Sequence, residues 1–188
     1  MLSALFGRRR HRQRTTFRNP LRIPAPRLGL LNLLGASGAA LAESDRQRLA
    51  SAFDSSQLST DASIKCDVLF LYCSLDAQGR IAGSALRVRD YIKSAGAYVA
   101  VVATENAPES YMKALQPKND WGANVVMVIN RKGDTFALFF GRLFEAMHKG
   151  QSMLMAWVDL APQAPGYDHP DAPGALMIAE AGHVVFGS

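Results

Sequence analysis

Along the last two-thirds of the chain, apolar positions alternate between two kinds of pattern. Asp67–Cys73 (DVLFLYC) is an almost unbroken apolar run rich in branched and aromatic residues, which predicts a strand covered on both faces. Ser84–Ala95 follows with Ala85, Leu86, Val88, Tyr91, Ile92 and Ala95 at helical spacing; Ser84 is the expected N-cap and Gly96 the expected C′ residue. Tyr98–Ala103 (YVAVVA) and Val125–Ile129 (VVMVI) predict two further buried strands, with a short helix capped by Asn106 between them. Asp134 then caps the strongest helix, Thr135–Lys149, whose Phe136, Phe139, Phe140, Leu143, Phe144 and Met147 form one wide face. Met153–Val158 (MLMAWV) predicts a fourth strand, and Ala175–Ala179 with His183–Phe186 a closing hairpin.

This β-α-β-α-β-α-β order predicts an α/β fold: a doubly wound, mostly parallel sheet of four to six strands with helices on both faces, a Rossmann-like or flavodoxin-like three-layer sandwich.

The first 60 residues read differently. Residues 8–27 hold eight arginines, no acid and three prolines, and the prolines forbid a continuous helix there. The whole chain carries a formal charge of +5, but residues 1–60 hold 10 Arg, no Lys and 3 acids, so the basicity lies there. Residues 54–63 (DSSQLSTDAS) read as a polar linker. The expectation is a basic, largely disordered arm and linker over 1–60 and an α/β domain over 61–188. Such an arm could dock on nucleic acid or an anionic membrane through residues 8–27. Leu28–Leu34 followed by Ala40-Leu41-Ala42 also has the outline of an export leader cleaved after Ala42. Cytoplasmic location is nonetheless the expectation, because two cysteines are too few for a disulfide scaffold.

In open α/β sheets ligands bind beyond the carboxyl ends of the strands, which turns the strand assignment into candidate residues. Cys73, Ser74, Asp76, Arg80, Gly83 and Ser84 follow the first strand; Glu105 and Asn106 the second; Asn130 and Arg131 the third; Asp159 the fourth. Cys73, Asp76 and Glu105 are the candidate catalytic groups. Ser74, Arg80, Gly83, Ser84, Asn106, Asn130, Arg131 and Asp159 are candidate ligand contacts. Gly79-Arg80-Ile81-Ala82-Gly83 matches neither phosphate-loop pattern, so no cofactor is identifiable by motif and a nucleotide is the candidate. Asp168-His169-Pro170-Asp171 clusters potential metal ligands, but adjacent residues alternate in direction, and no metal site is expected.

Two local resemblances bear on chemistry. The strand ending in Cys73, with GANVVMVINRKGDTFALFFGRLFEAMHKGQS, resembles the C-terminal part of bacterial caspase-like peptidases, which implies Cys73 as nucleophile. That family pairs its cysteine with an upstream His-Gly, whereas the one upstream histidine here, His11, precedes Arg12. DVLFLY resembles the first strand of Toll/interleukin-receptor domains, but their catalytic-glutamate helix has no match.

The leading expectation is a module that binds a small ligand, a nucleotide or other anion, or a protein partner at the sheet's C-terminal edge. The alternatives are a Cys- or carboxylate-dependent hydrolase or transferase at that edge, and an adaptor led by the arginine arm.

Overall fold

The computed structural model describes residues 20–76, 80–104, 125–130, 135–160, 175–179 and 184–187. Eight strands are present among them: β1 (Leu21–Ile23), β2 (Arg27–Asn32), β3 (Ser55–Ser59), β4 (Val68–Tyr72), β5 (Val99–Thr104), β6 (Val125–Asn130), β7 (Ala175–Ala179) and β8 (Val184–Phe186). The helices are α1 (Ala36–Leu49), α2 (Val88–Ala95), α3 (Thr135–His148) and α4 (Met153–Leu160).

The main sheet has six strands in the order β3-β2-β4-β5-β6-β7. All neighbours are parallel except β7, which runs antiparallel to β6. Counted from β2, the five parallel strands run 2-1-3-4-5, a doubly wound order whose switch point lies between β2 and β4. The α/β expectation holds.

Strand alternation divides the core into two layers. Leu28, Leu30, Val68, Phe70, Tyr72, Val99 and Val101 face one way and pack with α1, α3 and α4. Leu31, Leu69, Leu71, Cys73, Ala100 and Val102 face the other way, against Val88, Tyr91, Ile92 and Ala95 of α2. The aromatic face of α3 closes on β4, with the Phe70 ring centroid 5.0 Å from that of Phe140 and 5.9 Å from that of Phe136.

Four expectations need correction. Residues 21–59 are not a disordered arm and linker: β1, β2, α1 and β3 lie there, and β2 is an interior strand of the sheet. The apolar run Leu28–Leu34 is chiefly strand, and Ala42, after which a leader would be cleaved, is buried in α1. Cleavage after Ala42 would cut that helix and discard β2.

Met153–Leu160 is a helix and not a strand, with the Met155 N–H reaching Ser152 Oγ at 3.4 Å. Met, Leu and Ala are good helix formers, and an apolar run this short fits either period. The expected hairpin is split: β7 completes the main sheet, whereas β8 pairs in parallel with β1. Finally, α2 starts at Val88. Asp90 accepts the Arg87 N–H at 2.8 Å, while Ser84 Oγ takes the Leu86 N–H at 3.0 Å and so closes a turn ahead of the helix. Gly96 ends α2 at φ +70°, in the left-handed conformation expected of it. The helix expected from Asn106 lies outside the described residues.

At the opposite edge of the sheet, Asp67 ties β4 to β2. Its carboxylate accepts the Arg27 backbone N–H and Nε at 2.9 Å and Nη2 at 3.0 Å. Burial pushes the Asp67 carboxyl up, but the hydrogen bonds and charge of Arg27 outweigh it and hold it below the usual range. A depressed carboxyl stabilises the fold above its unfolded pKa, about 3.9, and that stabilisation is lost as pH falls through the lower folded value. The loss of stability on acidification below about pH 5 is expected to be steeper in the natural chain than in Asp67→Asn. Urea midpoints measured from pH 6 to pH 2 give the comparison; equal slopes would remove Asp67 from the acid limb.

Candidate functional site

Because β2 through β6 are parallel, their last residues share one edge: Asn32, Ser59, Tyr72, Thr104 and Asn130. The loops beyond β2 and β4 meet at the switch point, where the Leu33 N–H donates to the Tyr72 carbonyl at 2.8 Å.

Sequence reasoning missed the β2 side of this crevice. Asn32 is buried, and its amide shapes the turn into α1: Oδ1 accepts the Leu34 N–H at 3.0 Å and Nδ2 donates to the Gly35 carbonyl at 2.8 Å. Gly38 lies against it so closely that a Cβ would stand 2.5 Å from Asn32 Oδ1. The signal was available, an asparagine interrupting the apolar run Leu28–Leu34, but that run has the outline of a leader core. Asn32 is occupied with the loop's own backbone, so its role here is to set the shape of the crevice.

The β4 side carries most of the expected residues. Ser74 and Asp76 are exposed, and the Ser74 carbonyl accepts the Ala82 N–H at 2.9 Å. Asp76 Oδ1 accepts the Arg80 N–H at 2.8 Å, and the Asp76 N–H returns to the Arg80 carbonyl at 2.9 Å. Gly83 turns the chain at φ +75°, where a side chain would be disfavoured. Ser84 Oγ lies 3.0 Å from the Tyr91 hydroxyl and anchors the loop on α2.

The returning loop forms isolated antiparallel bridges that pair Leu75 with Ile81 and Arg80 with Arg87. Directly opposed residues on such a bridge share a face, with Cβ atoms about 4.5–5.5 Å apart. Two arginines therefore stand side by side, both exposed, and neither guanidinium has an acidic partner among the described residues. Arg87 also precedes the positive end of the α2 dipole, where a cation is unfavourable. Arg89 is half-buried with Nε 3.8 Å from Asp90 Oδ1. Arg87 was not singled out in the sequence, because it fell within the expected helix and not in its approach.

Two candidates do not fit the roles expected of them. Cys73 is 1% exposed and faces α2, and burial pushes its thiol up to about 12. At neutral pH it is a neutral core thiol, not a presented nucleophile. Asp159 lies on α4, where its carboxylate accepts a hydrogen bond from the Gln151 amide, and so does not follow a strand. Asn130 is the last residue of β6, paired with Thr104. Glu105, Asn106 and Arg131 lie outside the described residues.

No protein-family model matches this chain, and no curated protein is similar to it.

Other surfaces offer less. A solvent-open groove of about 450 Å³ between α1 and α3 is lined by Arg48, Gly141, Arg142 and Glu145, and the Glu145 carboxylate is engaged by Lys149 at 2.7 Å. Among the described residues no three His, Cys, Asp or Glu side chains gather into a metal site, and no helix is long and apolar enough to cross a membrane.

Proposed function

We propose that this chain is a binding module for a small anionic ligand, a nucleotide among the candidates, held at the C-terminal edge of its sheet by the loop after β4. The observation that carries the reading is the opposed pair Arg80 and Arg87. Like charges set directly across a bridge destabilise the empty loop, and the start of α2 adds to the same positive field. An anion seated between the guanidinium groups removes both penalties and gains charge-assisted hydrogen bonds. The position agrees with the general placement of ligands in open α/β sheets, beside a switch point. Cys73 is buried and its thiol raised, which weighs against the thiol form of the hydrolase or transferase reading.

The test is thermal unfolding of the full chain with inorganic phosphate, pyrophosphate and the nucleoside mono-, di- and triphosphates. At least one is expected to raise the midpoint, and Arg80→Ala and Arg87→Ala are each expected to weaken that ligand about tenfold or more. Both side chains are exposed, so the unliganded midpoint should move little. The arginines at 8–18 add the same background to every variant. A ligand effect that survives in both variants would place binding elsewhere.

A further inference from the structure

We draw no further inference here: the strongest candidate, the solvent-open groove between α1 and α3 lined by Arg48, Leu138, Gly141 and Arg142, is a surface for which nothing among the described residues shows what covers it.

Discussion

A chain that begins at residue 61 is expected to show no cooperative unfolding transition. It would lack β2, which lies between β3 and β4, together with α1. Ile23, Leu28, Leu30, Leu31, Ala42 and Leu49 are all buried within that segment. Each of the larger apolar side chains contributes roughly 1.5–3 kcal/mol when fully buried, while a whole domain is stable by only about 5–15 kcal/mol. Removing the segment also exposes the hydrogen-bonding edge of β4 along Val68–Tyr72 and leaves Asp67 without Arg27. Exposed edges of long apolar strands associate, so the fragment should elute as aggregate. Circular dichroism melts and size-exclusion chromatography of residues 61–188 give the answer. A monomer melting within about 5 °C of the full chain, on the order of 1 kcal/mol at this size, would show that β2 and α1 are an accessory.

The largest effect expected from a single substitution is at Phe70. Its side chain is fully buried at the middle of β4, edge-on to the rings of Phe136, Phe140 and Phe144 at 5.9, 5.0 and 6.2 Å. Phe70→Ala should cost about 3–5 kcal/mol, combining lost burial with a cavity that rigid neighbours cannot fill. The rings of α3 are held by other partners as well: Phe144 also stacks on Phe186 at 5.8 Å, which limits collapse into the space. Denaturant titration should show a lower midpoint at unchanged slope. Leu86→Ala is the control, since Leu86 is 43% exposed and should change stability little. A loss below about 1.5 kcal/mol at Phe70 would mean that the layer between β4 and α3 repacks freely.

The sequence made the central strands and α3 legible because their burial is written in large apolar residues. Val68–Tyr72 is apolar throughout, and α3 repeats phenylalanine at helical spacing. The start of the fold used another vocabulary. The buried stripe of α1 is Gly38, Ala42, Asp45 and Leu49, so only one large apolar residue marks a face that packs on the sheet. Asp45 is buried yet polar, and it accepts the Tyr72 hydroxyl at 2.9 Å, an internal hydrogen bond that hydrophobic patterning does not register. The edge strand β3 (SSQLS) is polar, as suits a strand with one side unpaired among the described residues, and such a strand reads as a linker.

The candidate edge was legible in outline for the same reason that it was incomplete. Placing β4 correctly located Ser74, Asp76 and Arg80, whereas missing β2 hid the opposing loop and the switch point itself. Arg87 escaped because helix starts are the least certain boundaries, and a cross-bridge contact seven residues away has no sequence signature.

The pairing of β1 with β8 also imposes an order in time. Leu21 bonds in register opposite Val184, about 160 residues downstream, and the Gly187 N–H closes onto the Ile23 carbonyl at 3.0 Å. A ribosome extending the chain at about 5–20 residues per second would leave β1 waiting roughly 8–30 s for its partner. Throughout that interval Leu21 and Ile23 have no strand to join among the described residues, even after β2, β3 and β4 have met. β8 is thus the strand that fastens β1, and ribosome-bound chains halted before Val184 should be cut by protease at residues 20–26 and spared there once β8 has emerged.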